Sequence, residues 1–174
     1  MSPNPLLVKF SPLLMGKNLE GPILDLACGK GQNGLFLAGL NLPVILADRS
    51  AEALKEAQRT AKENGLNAQF WEVDLETGSN PLKVDYYRAI LVFRYLHRPL
   101  LPCLKKGIRG GGILIYETFT IDQPRYGRPH NPDYLLKHGE LAGEFKDWHI
   151  LHYYEGIIES PQRAMAQIVC RKPV

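Results

Sequence analysis

The sequence predicts a doubly wound α/β fold, and three observations carry that reading. Short apolar runs alternate with helical stretches along most of the chain. The central run Ala89-Ile90-Leu91-Val92-Phe93 is apolar throughout, as strands covered on both faces are. Two longer β-rich segments close the chain, joined only by Ser160-Pro161-Gln162, a junction short enough for an antiparallel hairpin.

In chain order, Ile23 to Cys28 is the first strand, stopped by Gly29. Gly34 to Leu40 reads as a helix ended by Gly39 and Asn41, and Val44 to Asp48 as the second strand. Ser50 is an N-cap for a helix whose Leu54, Ala57 and Ala61 share one face, and Asn64-Gly65 stops it. Gln69 to Val73 and Tyr86 to Phe93 are the third and fourth strands. Arg98-Pro99 opens another helix, with Leu100, Leu101, Leu104 and Ile108 facing inward. Gly110-Gly111-Gly112 turns the chain into a fifth strand, Ile113 to Phe119. The proline- and arginine-bearing stretch 121–134 reads as an ordered loop, and Gly139 to Phe145 as a short helix. Trp148 to Glu159 and Arg163 to Arg171 form the closing hairpin.

With 174 residues, the chain is expected to be a single domain over 1–174, with 1–20 as an N-terminal cover segment. Hydrophobic residues at 45% and charged residues at 22% exclude a disordered tail or a coiled coil. A net charge of +3 is too small to argue for nucleic acid by itself. Cys28, Cys103 and Cys170 form neither a disulfide framework nor a CxxC zinc pair, so no metal is expected and a reducing cytoplasm is the simplest location. Prolines and Lys9 interrupt the first sixteen residues, which do not read as a signal peptide, and no apolar run is long enough to span a membrane.

The segment Asp25 to Gly34 carries the chemistry. It contains G-x-G-x-x-G at Gly29, Gly31 and Gly34, and Asp48 ends the second strand where a ribose-binding acid belongs. A dinucleotide and a nucleoside cofactor both fit that much. Asp25 decides between them, because a carboxylate inside the first strand repels a pyrophosphate and attracts the cationic methionine end of S-adenosylmethionine. Asp74, beyond the third strand, suits an adenine amino group, with Leu75 against the ring. Any one of these acids taken alone is an ordinary cap or turn residue. Three at neighbouring strand ends, with the glycine turn beside the first, point to a cofactor with amine, ribose and adenine handles.

Ile23-Leu24-Asp25-Leu26-Ala27-Cys28-Gly29-Lys30-Gly31 resembles motif I of class I S-adenosylmethionine-dependent methyltransferases. Leu46-Ala47-Asp48-Arg49-Ser50 resembles motif II, and Gly110-Gly111-Gly112 their turn into the fifth strand. Gln32-Asn33, in place of a further glycine, is similar to the tellurite-resistance type branch, whose members methylate small molecules. Arg94 to Pro99 and Tyr126 to Leu141 are similar to bacterial members of the same group. The resemblance implies a Rossmann-like methyltransferase fold, a seven-stranded mostly parallel sheet with a C-terminal antiparallel hairpin. It also implies S-adenosyl-L-methionine as cofactor, held by Asp25, Ala27, Cys28, Gly29, Gly31, Asn33, Asp48, Arg49, Asp74, Leu75, Phe93 and Arg94.

A sulfonium methyl is already activated, so the protein must mainly align a nucleophile and exclude water. The acceptor groups are expected at strand ends and in 121–145, an acceptor-side loop and short helix. Arg94, His97 and Tyr126 are the catalytic-side candidates; Tyr95, Arg125, Arg128, His130 and Asn131 are close to them in sequence. Glu117, alone in an apolar strand, reads either as functional or as a hydrogen-bonded structural acid. The excess of cations in the loop favours a small anionic or oxyanionic acceptor, a thiol or a chalcogen oxyanion among them. Nucleic acid is disfavoured: Phe93-Arg94-Tyr95-Leu96 stands where base methyltransferases carry Asn/Asp-Pro-Pro-aromatic, and Pro102-Cys103 falls on an apolar helix face. Two other classes stay open, a nicotinamide-dependent oxidoreductase and a non-catalytic cofactor-binding module of the same fold. The sequence leaves the oligomeric state open.

Overall fold

The structure is a computed structural model that describes residues 2–16 and 19–174. Seven strands form one sheet in the order β3-β2-β1-β4-β5-β7-β6. They are β1 (Ile23–Leu26), β2 (Val44–Asp48), β3 (Gln69–Glu72), β4 (Tyr87–Phe93), β5 (Ile108–Phe119), β6 (His149–Ile158) and β7 (Arg163–Arg171). The first five run parallel; β7 pairs antiparallel with β5, and β6 antiparallel with β7. The helices are α1 (Pro5–Phe10), α2 (Gln32–Gly39), α3 (Ala51–Glu63), α4 (Leu101–Gly107) and α5 (Glu140–Glu144). This is the predicted doubly wound sheet with its closing hairpin.

Alternation along the strands splits the core into two layers. Ile23, Leu46, Leu91, Ile113 and Ile115 face α1, α2 and α3, while Leu24, Ile90, Val92, Leu114 and Tyr116 face α4 and α5. β1 and β4 lie at the middle of the sheet, largely buried on both faces, so their C-terminal ends emerge from the core.

Several elements differ from the sequence reading. Prolines 3, 5 and 12 do not prevent helix; Asn4 accepts from the Leu6 N–H, Pro5 starts α1, and a 3-10 turn over Ser11–Met15 follows. Of the expected 1–20 segment, Met1, Lys17 and Asn18 lie outside the described residues. α2 begins at Gln32, two residues earlier than expected, because Gly31 in the left-handed region turns the chain directly into the helix. No helix occurs among the described residues 73–86 that join β3 to β4. Arg98-Pro99 opens a 3-10 turn, and α4 proper starts at Leu101.

The glycine run 110–112 lies inside β5 as a bulge, not ahead of it. Between Tyr87 paired with Ile108 and Ala89 paired with Ile113, the β4–β5 register shifts. A side chain at Gly112 would stand 2.8 Å from the Arg88 carbonyl oxygen, so the bulge closes only with glycine there. No helix among the described residues is long and apolar enough to cross a membrane.

Candidate functional site

The chain leaves β1 through three residues with positive φ, Ala27 (53°), Gly29 (55°) and Gly31 (77°), and enters α2. The two glycines have different reasons to be there. A side chain on Gly31 would meet Leu46 Cδ2 at 2.3 Å and Ala57 Cβ at 3.1 Å, so this glycine serves packing beneath the turn. A side chain on Gly29 would meet nothing within 4 Å, so this glycine lies along open space. Asp48, at the end of β2, holds the turn. Its Oδ2 accepts the Gly29 N–H at 2.7 Å and its Oδ1 accepts the Ser50 N–H at 2.8 Å, the latter at the head of α3.

Asp25 lies beneath this turn. Its side chain is 2% exposed, and Oδ2 accepts the Gly34 N–H at 2.7 Å. Burial pushes its carboxyl up to about 7, the Gly34 N–H lowers it, and Asp48 nearby raises it again. Gly34 must be glycine for this bond, since a side chain there would stand 2.8 Å from Leu46 Cγ and 3.0 Å from the same carboxyl oxygen. Asp25 therefore orders the turn from below and does not line the cavity above it. The Cys28 thiol, packed behind the turn, is pushed up by burial and by the two aspartates, which makes it a poor nucleophile.

A cavity of about 910 Å³ opens over the strand ends, within the range of small-molecule and cofactor sites. One wall comes from β1, β2 and the connection after β3: Ala27, Asp48, Arg49, Val73, Asp74, Leu75 and Glu76. The other comes from the end of β4, the end of β5 and the loop: Arg94, Tyr95, Leu96, Phe119, Arg128, Pro129, His130, Asn131 and Tyr134. The walls differ in charge. Three carboxylates and one arginine, Arg49, stand on the first, and two arginines and a histidine on the second. Neither Arg94 nor Arg128 has a carboxylate within ion-pair distance among the described residues, whereas Arg98 and Arg125 do.

Arg94 is exposed and sits at φ 54°, with its N–H donated to the Glu117 carbonyl at 2.8 Å. That strained conformation turns the chain sharply out of β4 at the cavity edge. Tyr95 donates to Glu76 Oε1 at 3.3 Å across the cavity, and burial followed by the Glu76 charge raises its phenol, so it holds its proton.

The loop is built to be firm. Arg98 clamps it from below, with Nε to Glu140 Oε1 at 2.6 Å, Nη2 to Glu140 Oε2 at 2.9 Å, and further bonds to the carbonyls of Asp133 and Leu135. Gln123, buried, accepts the Ala164 N–H from β7 at 2.9 Å and donates to the Arg128 carbonyl at 3.0 Å.

Of the residues expected to hold a cofactor, the structure brings Ala27, Asp48, Arg49, Asp74, Leu75 and Arg94 to the cavity wall. Asp25, Cys28 and Gly31 lie below it, and Phe93 packs into the core with the α1–α3 layer. Asn33 faces the N-terminal segment, accepting the Asn4 N–H at 2.8 Å. His97 starts the 3-10 turn and is half-buried away from the wall; its carbonyl accepts the Leu100 N–H. Tyr126 is 39% exposed on the outer side of the loop, so the loop presents Arg128, His130, Asn131 and Tyr134 in its place. The sequence reading missed Glu76, which carries no motif, and took in Tyr134 only as part of the 121–145 stretch; only the folded connections bring these two side chains to the cavity.

The sequence model of the family described as Tellurite resistance protein TehB matches residues 17–164. The "Probable S-adenosyl-L-methionine-dependent methyltransferase TehB" of Haemophilus influenzae is 27% identical over 142 residues, covering 79% of this chain and 49% of that protein. The chain thus spans about half the length of the curated relatives it matches. Among solved structures, TehB from Haemophilus influenzae superposes with a TM-score of 0.78 at 20% identity, over 96% of this chain and 61% of that one. A protein from Methanosarcina mazei described as a SAM-dependent methyltransferase superposes over 100% of both chains, with a TM-score of 0.73 and 17% identity.

Proposed function

The chain belongs to the tellurite resistance protein TehB family, and from that premise we propose that it is an S-adenosyl-L-methionine-dependent methyltransferase acting on a small anionic acceptor. The observation that carries this reading is the division of one cavity into an acidic wall beside the glycine turn and a cationic wall beside the loop.

The acidic wall suits the cofactor. Asp48 retains lone pairs for two ribose hydroxyls beyond those it gives to Gly29 and Ser50, Asp74 suits the adenine amino group, and Leu75 offers the ring an apolar face. A pyrophosphate would meet Asp48, Asp74 and Glu76 with only Arg49 to offset them, and the lysine of the turn, Lys30, is already paired with Glu56 at 3.0 Å. That repulsion argues against the nicotinamide alternative. When bound, this cofactor supplies a methyl group already activated for transfer.

The chain's own residues do the rest. Arg94 and Arg128, without acidic partners among the described residues, are free to hold an anion, and the Gln123 bond to the Arg128 carbonyl fixes the loop that carries Arg128. Tyr95 keeps its proton, so it does not serve as a base. An acceptor that arrives ionised, such as a thiolate or a chalcogen oxyanion, needs none.

Calorimetry with S-adenosylhomocysteine and with NADH tests the cofactor; binding of NADH alone overturns the reading. Release of S-adenosylhomocysteine against a panel of thiols and chalcogen oxyanions tests the acceptor, and turnover only with neutral or cationic amines would reject the anionic class.

A further inference from the structure

Besides Asp25, Glu117 is the one carboxylate buried among the described residues, 4% exposed, and the methyl-transfer chemistry leaves it without a role. No cation lies within ion-pair distance of it among the described residues. Its charge is met by two side-chain amides instead: Asn4 Nδ2 donates to Oε1 at 2.7 Å and Gln167 Nε2 donates to Oε2 at 2.6 Å. A buried carboxylate held only by neutral donors is costly, so the arrangement should give something in return.

What it joins is specific. Asn4 joins three elements: its Nδ2 donates to Glu117 in β5, its Oδ1 accepts the Leu6 N–H that opens α1, and its backbone N–H donates to Asn33 in the first turn of α2. Asn33 follows directly on the glycine turn. Glu117, through its carbonyl, holds the N–H of Arg94 at the mouth of the cavity. On the far side Gln167 turns its oxygen to His152 Nε2 at 3.1 Å, and the His152 ring lies 5.2 Å from Phe10 of α1.

We infer that Glu117 is a positioning residue: through Asn4 it ties the segment preceding α1 to both the glycine-turn helix and the Arg94 corner, so that order in this segment is coupled to cofactor binding. The inference rests on the reading of the cavity as a cofactor site. The N-terminal segment is then a strap, held in the core by Leu6 and Leu7 and joined to the site through Asn4, by its amide on Glu117 and its N–H on Asn33, so that the strap and the turn tighten together. A ligand that orders the glycine turn orders Asn33, and Asn33 holds Asn4 over Glu117. By reciprocity, loosening Asn4 must weaken the ligand.

Asn4→Asp isolates the contact. Aspartate caps a helix as well as asparagine, so α1 keeps its start, but a second carboxylate now faces Glu117. Asn4→Ser keeps the cap and removes the donor without adding charge. Binding of S-adenosylhomocysteine by calorimetry, and tryptic cleavage at the exposed Lys9 with and without it, are measured for both variants and the wild type. In Asn4→Asp, affinity should fall about tenfold near pH 8, with faster cleavage that the ligand slows less than in the wild type. Near pH 5 a proton shared between the two carboxylates should restore much of the affinity. Asn4→Ser should show a smaller loss with no recovery on acidification, which separates the effect from protonation of His152. Wild-type affinity in Asn4→Asp at both pH values, whether or not cleavage accelerates, overturns the coupling. A wild-type chain that takes no S-adenosylhomocysteine overturns the cofactor reading instead, and the inference with it.

Discussion

Asp48 carries two tasks on one carboxylate, since it already accepts N–H groups from Gly29 and Ser50 and in the proposed function also takes the ribose hydroxyls. Asp48→Ala should therefore cost about 1.5–3 kcal/mol of S-adenosylhomocysteine binding, tenfold or more in affinity, by calorimetry. Equal affinity in the variant would remove Asp48 from the site. Gly29 and Gly31, identical in a motif, should behave differently. Gly31→Ala must push against Leu46 and Ala57 at φ 77° and should lose about 2 kcal/mol of stability in denaturant unfolding. Gly29→Ala meets only open space, so it should lose about half that and lose ligand affinity more than stability. If the two lose stability equally, the packing distinction between them is wrong. The sequence made both glycines visible but not their division of labour, because whether a missing Cβ clears a ligand or a neighbouring side chain depends on Leu46 and Ala57, far along the chain.

At the scale of elements, what was legible was whatever repeats locally. Apolar runs gave the strands, Ser50 the start of α3, and the motif the turn into α2. Asn4-Pro5 is itself a local start signal, yet three prolines within the first twelve residues hide α1, because proline breaks a helix in its interior and starts one at its first turn. The bulge in β5 looks like a turn in the sequence because three glycines permit both, and only the pairing with β4 decides. The loop's firmness was not legible at all. It depends on Arg98 reaching Glu140 and on Gln123 reaching Ala164, contacts over 42 and 41 residues that no short pattern encodes. Removing the clamp should consequently affect the acceptor wall more than the fold. Arg98→Ala leaves a partly exposed pair broken, about 1–2 kcal/mol of stability after screening. It should raise KM for an active acceptor several-fold while leaving S-adenosylhomocysteine affinity near wild type. A variant with unchanged KM would mean that Arg128 and His130 do not need the clamp, and so do not position the acceptor.

At the scale of the whole molecule, the sheet is built around a carboxyl group. Asp25 lies in β1 between Leu46 of β2 and Leu91 of β4, with no cation within ion-pair distance among the described residues, and burial raises it from 3.8 to about 7. The sign of the resulting pH dependence is fixed by linkage. Below about pH 4 the group is protonated in the folded and unfolded chains alike and the folded state carries no charging penalty. As pH rises towards 7, the unfolded chain releases this proton and the folded chain keeps it, so stability falls. Above about pH 7 the folded chain holds the buried charge, and the full penalty, on the order of a few kcal/mol, is in place. Asp25→Asn copies the protonated form, keeps an oxygen for the Gly34 N–H, and cannot ionise. Chemical denaturation of both proteins at about pH 5 and pH 8 should show the wild type losing stability against the variant as pH rises. Near pH 8 the variant should be the more stable of the two. Because the other titrating groups are shared, the difference between the two curves isolates Asp25. A constant difference across that range would mean that the carboxyl is ionised throughout, with its charge compensated by something other than the Gly34 N–H.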